Sequence, residues 1–443
     1  MGNRLLFLCS FAAVIQPAAW AQAADPRDLL LRVRGNVTGT MERLPKYMCS
    51  LTIDRSQYAP SPIRTTPSCD ELVSQQNKGQ SKPRLLETDR LRLDVAIGAG
   101  AANEIYSWVG EARFDDRGLF DLVREGAAQT GAYSIFLSSI FSGSVASFSY
   151  NGDTAVDGRA LVEFGFQVPL EKSNYVFGNR REHVTTAYEG TVLVDPKTDD
   201  LVRMVVRTSE LPGDVGSCQA TTTLDYHRVH LNDSEFLLPR EAQLDILNTD
   251  GSLWRNRTVY ASCHEFLGES TLKFDEPGPE SSAAAAGKAS TPRPLTLPAG
   301  LQFKLLFTQP IDTDTAAAGD RIKAKLNSVI RDGSSKVVLV PEGSEVTARI
   351  MRLEHFQGPP SSVRMLVKLE AVNVGGRSIP FAATMNWVVQ PFVKDGRLQQ
   401  RIRLGSFDTL ADPNIGVFDF LDVKANFVVK SGFESTWMTA APQ

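Results

Sequence analysis

Residues 25–54 read DPRDLLLRVRGNVTGTMERLPKYMCSLTID, and within this stretch the hydrophobic period changes from helical to extended. Asp25 supplies an N-cap and Pro26 the first helical position, after which Leu29, Leu30, Val33, Val37, Met41 and Leu44 recur at helical spacing. Gly35 and Gly39 each weaken this helix by ~1 kcal/mol, and Pro45 stops it, so most of its stability must come from docking on a sheet. From Tyr47 the period becomes two. Tyr47, Cys49, Leu51 and Ile53 then share one face, and Met48, Ser50, Thr52 and Asp54 share the other, the pattern of a half-buried strand.

Working outward, the same alternation recurs at Leu91–Leu93–Val95–Ile97, at Val162–Phe164–Phe166–Val168, from Val184 through Val194, and from Leu201 through Thr208. Asp195-Pro196-Lys197-Thr198 and Asn248-Thr249-Asp250-Gly251 are turns. Three more strands follow, over about residues 218–231, 236–247 and 253–266, and together they predict an antiparallel meander. Between the strands lie Tyr133, Phe136, Leu137, Ile140 and Phe141, a stripe that only a helix places on one side. As plain core it caps the concave side of a curved sheet. As a functional element it is a lid over an apolar cavity.

The whole chain of 443 residues is 42% hydrophobic and 22% charged, a composition that excludes disorder and collagen and suggests two or three domains. Its 47 basic and 51 acidic residues leave a net charge of -4, which speaks against nucleic acid as a partner. Arg4, the apolar run Leu5–Ile15, Pro17 and the small-x-small triplet Ala21-Gln22-Ala23 predict a signal peptide over 1–23, cleaved after Ala23. The run is shorter than the ~20 residues a spanning helix needs, and no later stretch approaches that length, so no transmembrane span is expected after cleavage. The expected location is periplasmic or secreted.

Loss of Cys9 with the signal peptide leaves Cys49, Cys69, Cys218 and Cys263, an even set in an oxidising compartment. The short separation across a Pro- and Ser-rich loop makes Cys49–Cys69 the first choice, and parity then joins Cys218 to Cys263. Geometry objects to the second bridge: in a simple three-strand meander Cys218 starts one outer strand and Cys263 ends the other, at opposite ends. A metal site lacks any close Cys or His pair with ligand spacing, and no cofactor is expected.

Residues 276–298, EPGPESSAAAAGKASTPRPLTLP, have no apolar periodicity and read as a linker between a unit over 24–275 and a second over 299–443. In the second, Phe303–Leu305–Phe307, Ile322–Ala324–Leu326 and Val346–Ala348–Ile350 alternate. Gly375-Gly376 marks a tight hairpin, and strands near Phe427–Val429 and Ser435–Met438 end the chain. Such short strands suit a small β-barrel. The fold class is therefore mainly β with few helices (α+β), a curved antiparallel half-barrel with packed helices followed by a linker and a small barrel.

An N-terminal helix, a long curved meander and a greasy inserted helix behind a signal peptide resemble the lipoprotein-carrier superfold of LolA-type periplasmic proteins. Segments LPKYMCSLTIDRSQY at 44–58 and CHEFLGESTLKF at 263–274 resemble exported bacterial proteins of unknown function. LPAGLQFKLLFTQPIDTDTAAAGDRIKAKL and VVLVPEGSEVTARI, with turns Pro298-Ala299-Gly300 and Pro341-Glu342-Gly343, resemble the small barrel of TrbI-type conjugation proteins. That likeness implies an envelope scaffold or assembly module. The LolA-type likeness implies a non-enzymatic protein that binds a lipid or acyl chain between sheet and helix; the helical stripe then makes Phe136, Leu137, Ile140 and Phe141 the expected lining, and the alternating strand adds Phe164 and Phe166. The alternative is a structural or interaction module that meets an envelope protein partner and has no small-molecule ligand. A hydrolase is the third reading.

Catalytic chemistry finds little foothold. His227 and His230 are three apart on an expected strand and face opposite ways. Ser270-Thr271-Leu272-Lys273 has the serine-to-lysine spacing of penicillin-recognising enzymes without a helix start or companion motifs. Asp312-Thr313-Asp314-Thr315 reads as turn chemistry. His183 and Asp225 lack a nucleophile in a recognisable elbow, so no catalytic residue is assigned.

Overall fold

The computed structural model describes residues 25–60, 67–80, 83–98, 104–111, 114, 119–123, 127–128, 135–143, 145–178, 183–209, 211–265, 297–385, 390–394, 397–401, 414–424 and 426–441. The expected signal peptide, Tyr133, the Ser270–Lys273 motif and nearly all of the expected linker lie outside the described residues.

Helix α1 (Pro26–Arg43) begins where the Asp25 side chain accepts the Arg27 N–H at 2.9 Å and ends just before Leu44 and Pro45. Leu29, Val33 and Val37 form its buried stripe. Strand β1 (Tyr47–Ala59) follows, and its first seven residues alternate between buried and half-buried. The chain continues through α2 (Cys69–Asn77), β2 (Arg84–Ile97), β3 (Glu104–Trp108), α3 (Leu119–Leu122), α4 (Ile135–Phe141), β4 (Ser147–Val156) and β5 (Arg159–Val168). A small hairpin, β6 (Val176–Gly178) and β7 (His183–Thr185), precedes β8 (Tyr188–Asp195), β9 (Asp200–Thr208), β10 (Ser217–Leu231), β11 (Ser234–Asn248) and β12 (Leu253–Glu265).

Apart from that hairpin these strands form one antiparallel run in the order β4-β5-β8-β9-β10-β11-β12-β1-β2-β3. Strands consecutive in the chain pair, except that β3 and β4 lie at the two ends of the run and β12 returns to the free edge of β1. Leu51 is therefore flanked by Leu93 on β2 and Tyr260 on β12. The single strand expected from Val184 to Val194 is two strands, interrupted where the Thr186 N–H turns away to the Tyr175 carbonyl.

The return of β12 overturns the expected cysteine pairing. Cys49 of β1 is bonded to Cys263 of β12, and Cys69, at the start of α2, is bonded to Cys218 at the start of β10. Cys49 sits at a register irregularity between Met48 and Ser50, opposite the bulged Ser262–Cys263 stretch. Cys69 is placed by α2: Ser68 and Glu71 make a reciprocal capping box that starts the helix, and Leu72 then packs with Cys218 and Leu247. The objection to Cys218–Cys263 holds, because the register places the start of β10 beside the end of β11 and hence beside the start of β12.

The C-terminal strands are β13 (Gln302–Phe307), β14 (Ile311–Asp312), β15 (Arg321–Leu326), β16 (Ile330–Arg331), β17 (Val338–Val340), β18 (Glu345–Phe356), β19 (Ser362–Val374), β20 (Arg377–Pro380), β21 (Ala383–Met385), β22 (Gln390–Lys394), β23 (Arg397–Arg401), β24 (Ile415–Leu421), β25 (Val428–Val429) and β26 (Glu434–Thr439). Gly375 and Gly376, at φ 58° and 78°, make the tight β19–β20 turn that the paired glycines predict. The main run is β24-β19-β18-β15-β13-β26-β21. The expected closed barrel is absent among the described residues: β21 pairs with β26 and β24 with β19, and no ladder joins β21 to β24. Side chains occupy the gap, because Trp437 of β26 and Met385 of β21 lie so close to Gly416 of β24 that a Cβ there would be 2.2 Å from the indole.

Two large apolar clusters form, one within the N-terminal strands and helices and one within the C-terminal strands. They are joined by backbone. Strand β18 pairs with β2 over Glu354–Phe356, and Ala318 exchanges hydrogen bonds with Arg90 and Arg92, so eighteen strands belong to one sheet.

Candidate functional site

The six apolar residues singled out from sequence come together in the N-terminal core. Phe136, Leu137, Ile140 and Phe141 lie on α4, a helix of seven residues, and each is at most 6% exposed. Phe164 and Phe166, two apart on β5, point into the same core at 2% exposure. The rings form a connected network: Phe136 meets Tyr175 and Tyr188 edge-to-face at centroid distances of 5.2 and 6.2 Å, Phe166 meets Tyr188 edge-to-face at 6.4 Å, and Phe148 bridges Phe141 and Phe166 with tilted contacts. A helix this short has little intrinsic stability, so it is held by what it touches. Besides the rings, that is Arg34 of α1, whose guanidinium donates to the Phe141 carbonyl at 3.2 Å and to the Gly143 carbonyl.

Tyrosines give this interior a polar component that the sequence reading passed over. Tyr47, Tyr106, Tyr226 and Tyr260 are all buried in the same core. The Tyr106 hydroxyl donates to Glu104 Oε2 at 2.6 Å, and Glu104 is the half-buried member of the group. Burial, followed by the nearby Glu104 carboxylate, holds the Tyr47 and Tyr106 phenols well above their ordinary range. Burial does the same for Tyr226. Tyr175 is pushed up to about 12 by burial, opposed by a hydrogen bond with Thr222. The signal in the sequence is tyrosine at inward positions of alternating strands, where an aromatic reads simply as core.

The residues considered for catalysis are placed as ordinary structure. His230 is exposed beside Glu235, whereas His227 is half-buried and its pKa is lowered by desolvation. Asp225 is held by Arg203, and Asp312 accepts the Asp314 N–H within a turn. Among the described residues, no group of three or more His, Cys, Asp and Glu side chains is placed to hold a metal ion. A surface groove of about 630 Å³ in the C-terminal part is lined by Arg321, Lys368, Glu370, Phe381 and Asn414 among others. Its carboxylate is already committed, since Glu370 pairs with Arg321 and with buried Arg349.

No family model matches the sequence. No curated protein matches it either. Among solved structures, an outer-membrane lipoprotein-sorting protein domain from Vibrio parahaemolyticus is similar at 10% identity and a TM-score of 0.27, over 55% of this chain and 95% of that one. A LolA-superfamily protein from Nitrosomonas europaea is similar at 9% identity and a TM-score of 0.23, over 56% and 96% respectively. Neither similarity gives support to the TrbI-type resemblance of the C-terminal strands. Among the described residues, no helix is long and apolar enough to cross a membrane.

Proposed function

We propose that this protein binds an apolar ligand, a lipid or acyl chain, in the space that α4 fills between α1 and the sheet. The observation that supports this is the construction of α4: a seven-residue helix outside the sheet ladder covers an aromatic face with Phe136, Leu137, Ile140 and Phe141. Displacing it would uncover Phe166, Phe148 and Tyr188, and an acyl chain laid there would be held by apolar burial at ~25 cal/mol per Å². Two disulfides suit an oxidising compartment, so the periplasm or the exterior is the proposed location. On this reading the unit over 24–275 carries the ligand without catalysis, and the unit over 299–443 is a scaffold docked on β2.

Native mass spectrometry of protein purified from an oxidising compartment, followed by organic extraction, tests the proposal. A stoichiometric lipid supports it, and Phe136→Ser with Phe141→Ser should then abolish uptake. A second reading, an envelope interaction module whose cavity is filled by its own side chains, is favoured by the near-complete burial of the six residues. It predicts a clean apo mass, no uptake on exposure to lipid, and a cross-linked protein partner.

A further inference from the structure

The buried tyrosines of the N-terminal core converge across strands that are far apart in sequence. Glu104 on β3 is opposite Ile97 on β2, and Ile97 is opposite Tyr47 on β1. Tyr106 lies two residues beyond Glu104 on the same face and is hydrogen-bonded to it at 2.6 Å. On the other side of β1, Tyr260 of β12 is opposite Leu51. Tyr226 reaches the same place from β10, close enough that Tyr47 is in electrostatic contact with Glu104, Tyr260 and Tyr226.

Within this cluster the Tyr226 hydroxyl is buried and has no hydrogen-bond partner among the described residues. A buried hydroxyl left without a partner is destabilising, and phenylalanine would fill the same position without that cost. The hydroxyl therefore points to a group that arrives from outside. Burial keeps the Tyr226 phenol neutral, so its uncommitted O–H is a donor, while Glu104, which already accepts from Tyr106, offers carboxylate acceptor capacity at the half-buried edge. A carboxylate at that edge disfavours an acidic or phosphate head group.

We infer that Tyr47, Tyr106, Tyr226, Tyr260 and Glu104 form the head-group site for a neutral lipid bearing an ester carbonyl and a free hydroxyl, the chemistry of an acylglycerol. The ester carbonyl accepts from Tyr226, the lipid hydroxyl donates to Glu104, and the acyl tail lies along the aromatic face near α4. This rests on the carrier reading proposed above.

The test is displacement of N-phenylnaphthylamine, an apolar fluorescent probe, from the full chain by 1-monopalmitoylglycerol and by palmitate at pH 8. The wild type should prefer monopalmitoylglycerol by about tenfold, equivalent to ~1.4 kcal/mol. Tyr226→Phe should weaken monopalmitoylglycerol by about fivefold, on the scale of one hydrogen bond, without changing palmitate or probe binding. Glu104→Gln should improve palmitate and narrow the preference. Equal affinity for both lipids, or a Tyr226→Phe variant indistinguishable from wild type because water satisfies the hydroxyl, overturns the head-group site while leaving the carrier reading intact. Failure to bind probe, monopalmitoylglycerol and palmitate alike overturns both.

Discussion

Glu354 of β18 stands directly across the antiparallel ladder from Asp89 of β2, so two carboxylates face each other where the C-terminal strands join the N-terminal sheet. Glu87 is two residues further along the ladder, opposite Phe356. Arg55 of β1 is bonded to Asp89, Arg352 lies 3.2 Å from Glu354, and Arg364 of β19 is also near. Burial outweighs these cations and, with Glu87 and Asp89, pushes Glu354 up to about 7. A carboxyl raised in the folded state favours folding fully below its unfolded value near ~4.3, and that benefit is lost as pH rises towards 7. Wild-type stability should therefore fall across this window by on the order of 2–3 kcal/mol from this group. Glu354→Gln should be nearly silent in Tm at pH 5 and should raise Tm at pH 8. An unchanged Tm at pH 8 would remove Glu354 as the source.

The disulfides make a separate prediction. Each closes a long loop, with sequence separations of 214 and 149 residues. Replacing Cys49 and Cys263 together by Ser should cost about 2–5 kcal/mol. Peptide mapping without reduction should yield a Cys49–Cys263 fragment and a Cys69–Cys218 fragment. Recovery of Cys49 linked to Cys69 would refute the pairing.

What could be read from sequence was local. The Asp25–Pro26 start of α1, the alternation from Tyr47 and the Gly375-Gly376 turn all depend on neighbours within a few positions, and each formed as expected. The disulfides were not legible because β12 reaches β1 only after the whole meander has been laid down, and nothing near Cys49 announces it. The open C-terminal run has the same origin: the close approach of Trp437 and Met385 to Gly416 joins positions distant in sequence. Phe136, Phe141, Phe164 and Phe166 were legible as core-facing positions, since periodicity alone gives that. The tyrosine cluster was not, because only lateral register brings Tyr47, Tyr106, Tyr226 and Tyr260 to one place.

Gly319 tests the seam between the two halves. Its φ is 104°, and a Cβ there would lie 2.2 Å from the Arg92 carbonyl oxygen and 3.0 Å from the Trp108 ring. Arg92 cannot easily yield, because its N–H is bonded to the Ala318 carbonyl and its guanidinium to Asp320. Gly319→Ala should cost about 3 kcal/mol and lower Tm. Gly300, at φ 88° with nothing within 4 Å, isolates the backbone strain alone, and Gly300→Ala should cost about 1 kcal/mol. Equal losses at the two sites would mean that the seam is not tightly packed.

Arg34 offers a way to tell a lid from fixed core. Its bonds to the Phe141 and Gly143 carbonyls secure the C-terminal end of α4, and α1 itself is anchored independently by Leu29, Val33 and Val37. Arg34→Ala should therefore loosen α4 without dissolving α1, at a cost of about 1–2 kcal/mol. Hydrogen exchange should accelerate over 135–143 while residues 29–33 stay protected. If α4 is a lid over a binding face, the same variant should also take up an apolar probe faster than wild type at nearly unchanged final occupancy, because opening is eased and the lining is untouched. Faster exchange with no change in uptake rate would make α4 a mobile piece of core, and unchanged exchange would mean that the aromatic contacts alone hold it.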